Sequence, residues 1–371
     1  MMSSPTVTFV STYPPTRCGL ANFTSSLRRA IAGNRNSESG LEVVAVTSNG
    51  DNEFPPEVVG TLDPFRPAQV KPARGDVAIL QHEFGIWGPN DGDGVLEVID
   101  RLQVPTLTVL HTVLEHPSPN QRRIVKGLAR RSLGLVVLSE AAGSRLTRSY
   151  DLGSRQIAEI PHGGWPDVRR DFRERSRPVI LTWGLLGPGK GLEDGIRALP
   201  ALRHLNPKPL FVIAGQTHPN VLRTHGEHYR KSLEKLVDEF DVGDMVKFLN
   251  RYLSSADLTS LRRRATVCLF PYQSRDQVSS GALVDAIAGQ VPVVATRFPH
   301  AVELLSGGAG LLVNHSDSEG IGWALEAFLT DRHTMSVARG ALEKLSAELS
   351  WPTVAQRYEE LFPAAMVVGV A

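Results

Sequence analysis

The sequence predicts an α/β protein with two doubly wound parallel-sheet domains that face a central cleft. Short apolar, β-branched runs alternate with amphipathic helical patterns along most of the chain. This alternation stops at a charged, proline-punctuated stretch and then starts again. A chain of 371 residues is too long for one ordinary core and suits two domains of about 150 to 200 residues. Loops at the carboxyl ends of parallel strands line such a cleft, so the ligand is expected there.

The first half begins with a strand, a loop, a helix and a second strand. Leu20, Phe23, Leu27 and Ile31 recur at helical spacing, which predicts an amphipathic helix after the first strand. The strand candidates are apolar throughout, as is typical of parallel strands that helices cover on both faces. Six strands are predicted in this half, at 6–11, 41–48, 76–82, 105–111, 134–140 and 157–163.

The second half repeats this architecture after a predicted linker, PDVRRDFRERSRP (166–178). We therefore expect one domain at 1–167 and another at 168–351. The segment LSWPTVAQRYEELF (349–362) predicts a last helix, over about 352–371, that packs back on the first domain. The strands predicted in this half are 179–184, 209–215, 245–250, 265–270, 291–296 and 310–313.

The composition argues against several classes of protein. Lys and Arg number 40 against 39 Asp and Glu, so no nucleic-acid partner is expected for the whole chain. Cys18 and Cys268 lie far apart in sequence, which argues against a disulfide framework or a zinc site and favours the cytoplasm. No run approaches the roughly 18 apolar residues of a membrane span. We expect a soluble protein, and peripheral membrane contact is left open.

The stretch GLLGPGKG (184–191) lies between a predicted strand and a predicted helix. Gly184, Gly189 and Lys190 match the spacing of an ATP-binding P-loop, but Gly191 stands where that loop has a magnesium-binding hydroxyl. Backbone N–H groups, the positive helix end and the Lys190 ammonium would attract phosphate. The alternative is a tight turn whose glycines only permit close packing.

The sequence resembles the retaining family-4 glycosyltransferases, which have the GT-B fold of two Rossmann-like domains. The resemblance covers nearly the whole chain, and no single segment carries it. It implies a reaction without an enzyme nucleophile and without a metal cofactor. The segments that carry it, in family order, are STYPPTRCGLANFT (11–24), HEFGIWG (82–88), LHTVLEHPSP (110–119), SEAAGSRL (139–146), IPHGG (160–164), GLLGPGKG (184–191), AGQTHPN (214–220), NRYLS (250–254) and PYQSRDQVSSGALVDAIAGQVPVVAT (271–296).

The resemblance implies roles for residues of both domains. Gly19 matches a glycine loop that approaches the donor phosphate, with a simple helix-start turn as the alternative. His111 matches a histidine that contacts the donor sugar near the reacting carbon, with a packed strand-end residue as the alternative. Lys190 matches the lysine that neutralises the departing diphosphate, and Gly187 and Gly189 belong to the same phosphate-binding loop.

Two further residues, His82 and Glu83, also follow a predicted strand. They are candidates to bind acceptor hydroxyls or to act as acid or base. The alternative is a strand-end pair that stabilises the following loop.

The sequence departs from the family pattern at the donor site. Leu185 stands where the family often has an Arg. The family's two glutamates, separated by seven residues, correspond to Gln277 and Asp285 in this chain. The Gln277 amide can hydrogen-bond sugar hydroxyls, and Asp285 can accept a hydrogen bond from ribose with a shorter reach. The identity of the donor is therefore left open.

Other donor-site candidates surround this segment. Ser279, Ser280 and Gly281 precede a helix predicted to start near Ala282, where free N–H groups would bind phosphate oxygens. A plain helix cap is the alternative. Looser candidates for the same phosphate are Arg251, His218 and Arg275.

The DGD stretch at 91–93 resembles the Asp-x-Asp metal motif of a different glycosyltransferase class. Because it precedes the helical pattern GVLEVIDRL, we interpret it as a helix-capping cluster, and no metal site is expected.

The resemblance implies transfer of a hexose, with mannose preferred over glucose, from a nucleoside-diphosphate sugar to a hydroxyl of a saccharide or glycolipid. The catalytic residues would be His111, Lys190 and Gln277. The nearest alternative is a phosphorylase of the same fold that uses inorganic phosphate and a sugar 1-phosphate. A sugar-nucleotide epimerase, a non-catalytic sugar- or nucleotide-binding protein and, last, an ATPase remain open, as does the oligomeric state.

Overall fold

The computed structural model describes residues 4–48, 53–153, 156–166 and 177–362. These residues form two compact units. The first unit holds the described residues up to Gly163 and those from Trp351 onward, and the second spans Gly164–Ser350. Most of the predicted linker, 167–176, lies outside the described residues, so the predicted boundary at 167–168 stays a prediction.

The first unit is built on a parallel sheet of seven strands in the order β3-β2-β1-β4-β5-β6-β7. Strands β1, β4 and β5 occupy its centre and are buried throughout. The strands are β1 (Val7–Ser11), β2 (Leu41–Val46), β3 (Val58–Leu62), β4 (Val77–His82), β5 (Thr106–Leu110), β6 (Gly134–Val137) and β7 (Ile157–Glu159).

Within the described residues, five α-helices accompany this sheet. Helix α1 has the predicted buried face, which includes Phe23, Leu27 and Ile31. Helix α13 packs on α1, where Arg35 Nε lies 2.7 Å from Glu359 Oε1 and the Trp351 ring lies 5.1 Å from that of Phe23. The helices of this unit are α1 (Gly19–Arg35), α2 (Val95–Leu102), α3 (Pro119–Arg131), α4 (Glu140–Tyr150) and α13 (Trp351–Glu359).

The second unit has a parallel sheet of six strands in the order β10-β9-β8-β11-β12-β13. Neighbouring residues of one strand, such as Ile180 and Leu181, belong to two different core clusters, because successive side chains point to opposite faces. The strands are β8 (Val179–Trp183), β9 (Leu210–Ala214), β10 (Val246–Leu249), β11 (Val267–Phe270), β12 (Val293–Thr296) and β13 (Gly310–Val313).

The helices of the second unit follow its strands in the alternating order that the sequence predicts. Helix α5 starts directly after the glycine loop, and α9 starts at Gly281, one residue before the predicted start. The helices are α5 (Leu192–Ala198), α6 (Pro219–His225), α7 (His228–Glu239), α8 (Ser255–Arg264), α9 (Gly281–Ala288), α10 (Pro299–Leu305), α11 (Ser318–Thr330) and α12 (Arg332–Glu348).

Each predicted strand is present, but the sequence analysis missed β3. This strand lies at the edge of its sheet, and its first four positions alternate between partly buried and exposed. Gly60 also interrupts its short apolar run, which weakens the strand pattern. Cys18 and Cys268 are both free cysteines, the first partly exposed and the second buried. In the described part of the chain, every helix is too short or too polar to cross a membrane.

The interpretation of DGD as a cap of the following helix is wrong. Helix α2 follows Gly94, and no side chain caps it. Instead, Asp91 accepts a hydrogen bond from Asn120 Nδ2 at 3.0 Å, and Asp93 Oδ2 lies 3.0 Å from Arg123 Nη2. The two carboxylates therefore bind side chains near the start of α3 instead of capping α2.

Candidate functional site

In the first unit, candidate residues meet where β4 and β5 end. These strands are neighbours in register, with His82 of β4 opposite Leu110 of β5. Glu83 and His111 directly follow the two strands, so the fold brings the predicted residues His82, Glu83 and His111 together. Gly19 is the first residue of α1, the helix whose Phe23 ring contacts that of His111.

The His111 side chain is partly exposed and hydrogen-bonded at one ring nitrogen. Its Nε2 lies 2.7 Å from Gln81 Oε1, and its ring meets that of Phe23 edge to face at a centroid distance of 4.7 Å. Burial, reinforced by the nearby His162 and His82, lowers the pKa of His111 to about 3. At neutral pH this imidazole is therefore uncharged and can offer hydrogen bonds but not a full positive charge.

His82 is fully buried, at 0% exposure. Its ring lies 4.8 Å from that of Phe84, and burial lowers its pKa to about 3. Among the described residues, neither ring nitrogen has a hydrogen-bond partner. A ligand would have to displace neighbouring side chains to reach His82, so an acceptor-binding role fits Glu83 better.

Glu83 has a partly exposed carboxylate that Thr112 orients. The Thr112 hydroxyl donates a hydrogen bond to Glu83 Oε2. Burial raises the pKa of Glu83 above its usual value. Hydrogen bonds from Thr112 and from the backbone of Phe84 and Gly85 lower this pKa, but the effect of burial is larger. The raised pKa and the partial exposure suit a group that hydrogen-bonds or exchanges a proton with a hydroxyl. The hydrogen bonds also fit the alternative of a loop-stabilising residue.

The sequence analysis did not assign a role to His162. Its ring lies 5.0 Å from that of Phe23 and 5.5 Å from that of Trp351, and its Nδ1 lies 2.6 Å from Gly163 O. Burial lowers its pKa to about 4. We name His82, His111 and His162 the histidine cluster. The signal for His162 was its position in the IPHGG segment, after the last predicted strand of the first half.

Gly19 is the first residue of α1, and the side chain of the preceding Cys18 caps the helix. A Cβ at position 19 would meet nothing within 4 Å. The surrounding residues therefore leave room for a side chain at position 19, so packing does not require a glycine there. The helix-start turn is present. The space next to Gly19 is open, and its contact with a phosphate stays a prediction.

In the second unit, the GLLGPGKG loop follows β8 and carries three glycines with positive φ. Gly184, Gly189 and Gly191 have φ values of 133°, 87° and 64°. A Cβ at Gly191 would lie 1.8 Å from the carbonyl oxygen of Pro271. The site therefore has no room for the Ser or Thr hydroxyl of a P-loop, which gives the missing hydroxyl a steric reason and argues against an ATPase.

Residues 272 and 273 hold the end of this loop. The Gln273 N–H donates a hydrogen bond to Gly189 O at 2.9 Å, and its side-chain amide donates one to Asp194. The partly exposed Lys190 places its Nζ 4.4 Å from the centroid of the Tyr272 ring. An aromatic face attracts an ammonium group, so Tyr272 holds the Lys190 charge at the end of the loop.

The start of the loop pairs with the segment after β9. Leu186 N donates a hydrogen bond to Gln216 O at 2.9 Å, and His218 N donates one to Leu186 O at 2.8 Å. Gly187 is buried, and a Cβ there would lie 3.2 Å from Val221 Cγ2. The His218 ring accepts a hydrogen bond from Asn220 N, so this residue caps α6.

In the segment before α9, one serine caps the helix and other residues are accessible to solvent. Ser280 Oγ accepts a hydrogen bond from Leu283 N at 3.3 Å, and Ser280 N donates one to His300 Nδ1 at 2.9 Å. The Ser280 hydroxyl thus serves as the helix cap. Gln277, Ser279 and Gly281 are partly exposed, and Gln277 Nε2 donates a hydrogen bond to Ser279 O at 3.0 Å. These three residues remain the accessible candidates here, and Arg275 is an exposed residue of the same loop.

Asp285 forms an ion pair with a buried arginine. Arg262 Nη1 lies 3.4 Å from Asp285 Oδ1 and also donates a hydrogen bond to Asp285 O at 2.9 Å. The Arg262 side chain is 3% exposed and that of Asp285 is 27% exposed. The carboxylate therefore neutralises a buried charge, and any contact with ribose would compete with this pair.

Arg251 is likewise paired. Its two terminal nitrogens lie 2.8 and 2.7 Å from the carboxylate oxygens of Asp257, which raises the pKa of Arg251. Asp257 in turn completes the capping box at the start of α8 with Ser254. A phosphate contact by Arg251 stays a prediction that competes with this bidentate pair. Within the described ranges, no three His, Cys, Asp or Glu residues lie together as a metal site.

Residues 167–343 match the family model "Glycosyl transferases group 1". Glycogen synthase from Mycobacterium tuberculosis (strain ATCC 25618 / H37Rv) is 27% identical over 246 residues, which are 64% of this chain and 56% of that protein. The GDP-mannose-dependent alpha-(1-6)-phosphatidylinositol monomannoside mannosyltransferase of Mycolicibacterium smegmatis is 32% identical over 176 residues, 45% of this chain and 43% of that protein. The chain thus spans about half the length of these curated relatives.

Solved structures resemble the whole chain. Sucrose-phosphate synthase from Thermosynechococcus elongatus has a TM-score of 0.74 at 16% identity and covers 98% of this chain and 99% of its own. Anabaena Alr3699/HepE in complex with UDP and glucose has a TM-score of 0.69 at 17% identity, covering 97% of this chain and 99% of its own. At this identity the likeness shows the fold, and the predicted class, two Rossmann-like domains of the GT-B type, is confirmed.

Proposed function

Because this chain carries a glycosyl transferases group 1 domain, we propose that it is a retaining hexosyltransferase. It transfers a hexose from a nucleoside-diphosphate sugar to a hydroxyl of a saccharide or glycolipid. The observation that carries the proposal is the position of Lys190, at the end of a glycine loop inside the matched region and against the Tyr272 ring. A cation held at the end of a glycine loop that leads into a helix suits a diphosphate.

Mannose is the hexose we propose first, and glucose is the second. The relative with 32% identity is named as GDP-mannose-dependent, which supports mannose. Another relative is named glycogen synthase, and one solved neighbour is titled as a complex with UDP and glucose, which supports glucose. The partly exposed Gln277 amide offers both a donor and an acceptor to the hexose hydroxyls.

The proposed reaction is a front-face displacement. The acceptor oxygen bonds to the anomeric carbon as the bond to the diphosphate oxygen breaks, and the hydroxyl proton passes to a leaving phosphate oxygen. Lys190 offsets the charge that develops on the diphosphate, a kind of stabilisation worth about 3 to 4 kcal/mol in comparable sites. His111, uncharged because burial lowers its pKa to about 3, orients the sugar through a hydrogen bond. We propose that no metal cofactor takes part and that the cytoplasm supplies the substrates.

Calorimetric titration of the full chain with GDP, UDP, ADP and inorganic phosphate, each with and without EDTA, tests the proposal. We expect one nucleoside diphosphate to bind tightly in EDTA, which would identify the base of the donor. Lys190→Ala should weaken that binding and lower turnover at least tenfold with little change in the melting temperature. Lys235→Ala, which removes an exposed lysine of α7, is the matched control. Wild-type turnover by Lys190→Ala would contradict the assignment.

A glycoside phosphorylase is the second candidate function. The observation that favours it is the Asp285–Arg262 ion pair, because a carboxylate that neutralises a buried arginine is less available to ribose. Binding of inorganic phosphate without any nucleoside diphosphate would favour this function. Tight nucleotide binding without turnover on any sugar nucleotide would favour a non-catalytic binding protein.

A further inference from the structure

Gln81 is the side chain that hydrogen-bonds the His111 ring. It is the penultimate residue of β4, in the centre of the first sheet, and is 0% exposed. Its carbonyl accepts a hydrogen bond from Trp87 Nε1 at 3.2 Å, and its Oε1 lies 2.7 Å from His111 Nε2. Its own Nε2 has no hydrogen-bond partner among the described residues. The contact with His111 is thus the one hydrogen bond that the described structure gives this buried side chain.

The chemistry of this contact restricts the protons of His111. An amide oxygen only accepts hydrogen bonds, and a neutral imidazole carries its proton on one of its two nitrogens. A bond between Gln81 Oε1 and His111 Nε2 therefore requires the proton to be on Nε2. The other nitrogen, Nδ1, is then left with a lone pair and acts as an acceptor.

Protonation of His111 to the imidazolium form does not provide another explanation of its hydrogen bond with Gln81. His111 is neutral near pH 7, because burial and the other two histidines of the histidine cluster disfavour the imidazolium form. Its ring is also held by the edge contact with Phe23. With charge and ring position constrained, the tautomer decides whether the free nitrogen donates or accepts a hydrogen bond.

We propose that Gln81 is a positioning residue that fixes His111 as the Nε2–H tautomer, so that Nδ1 accepts a hydrogen bond from a hydroxyl of the hexose. The role toward hexose rests on the proposed function. The fixed tautomer does not, since it follows from two residues of the first unit. The opposite orientation of the Gln81 amide would donate to Nε2 and require the Nδ1–H form, which is a measurable difference.

The test is the side-chain nitrogen spectrum of His111 in the full, ¹⁵N-labelled chain at pH 7. Long-range ¹H–¹⁵N correlation distinguishes a protonated from an unprotonated ring nitrogen, and His111→Asn assigns the signals. We expect a protonated Nε2 and an unprotonated Nδ1 in the wild type. Gln81→Met keeps the length of the side chain and removes the acceptor, so it should produce a mixture of both tautomers. Thr108→Val is the matched control, because it removes another buried hydrogen bond, to Ser132, in the same sheet.

Kinetics provide the second measurement. In Gln81→Met we expect kcat to fall at least tenfold while the affinity for the nucleoside diphosphate, bound by the second unit, stays within twofold. A wild type that shows Nδ1–H or a tautomer mixture would overturn the proposal, and so would an unchanged His111 spectrum in Gln81→Met. If Gln81→Met does not fold, the wild-type spectrum alone decides. A chain with the expected tautomer but no transfer of any hexose would refute the proposed function and leave the role of Gln81 toward His111 intact.

Discussion

Substituting Gly191 by Ser would complete the P-loop pattern of GLLGPGKG, and we expect it to damage the protein instead. A non-glycine residue at φ 64° costs about 1 to 2 kcal/mol in backbone strain. The new Cβ would also lie 1.8 Å from the carbonyl oxygen of Pro271, so the loop or the segment after β11 must shift. Overpacking of this kind costs about 1 to 3 kcal/mol. The sum is about 2 to 5 kcal/mol.

Thermal unfolding measures this cost, and Gly189→Ala is the control. For a unit of roughly 190 residues, each kcal/mol lowers the melting temperature by about 2 to 4 °C, so Gly191→Ser should melt about 4 to 20 °C lower. Gly189 also has a positive φ, of 87°, but a Cβ there meets nothing within 4 Å. Gly189→Ala should therefore cost the backbone strain alone. A Gly191→Ser variant with wild-type stability that hydrolyses ATP with magnesium would refute this reasoning.

Three further outcomes are expected. In Gly163→Ala the new Cβ would lie 2.4 Å from ring atoms of Trp351, so tryptophan fluorescence should change and stability fall by about 1 to 3 kcal/mol; an unchanged spectrum would argue against this packing. Asp285→Ala removes the carboxylate that lies 3.4 Å from Nη1 of the 3%-exposed Arg262 and should cost about 1 to 3 kcal/mol in urea unfolding. An unshifted urea midpoint would show that this ion pair does not contribute to stability. The histidine cluster has pKa values of about 3 to 4, below the unfolded value of about 6.5, so the unfolded chain binds more protons below pH 6.5. Stability should therefore fall between about pH 6.5 and 4, by about 1 kcal/mol per pH unit for each histidine that stays neutral, and a flat urea-midpoint profile from pH 7 to 5 would contradict these pKa values.

Much of the fold was predictable because its signals are local. Mostly apolar runs such as 76–82 and 105–111 have the length and composition of buried parallel strands, and each contains one. The helical spacing of Leu20, Phe23 and Leu27 was sufficient for α1. The edge strand β3 was missed because a half-exposed strand has no continuous apolar run.

The candidate site was only partly predictable. The sequence placed His82, Glu83 and His111 at strand ends, but it did not show that His82 is fully buried while His111 is partly exposed. It also gave no indication that Gln81 contacts His111, since both positions lie in ordinary strand patterns. Exposure at a strand end depends on which loops and helices cover it, and those elements come from distant parts of the chain.

By itself, the sequence determined most of the succession of strands and helices and the glycine loop with Lys190, and it made Gln277 and Asp285 candidates for the donor site. The tertiary structure alone decided which of these residues already form ion pairs or close contacts within the protein. Asp285 neutralises a buried arginine, and the Pro271 carbonyl leaves no room for a side chain at Gly191. Local patterns depend on neighbours in the chain, whereas these contacts join segments that only the order and register of the strands bring within a few ångströms.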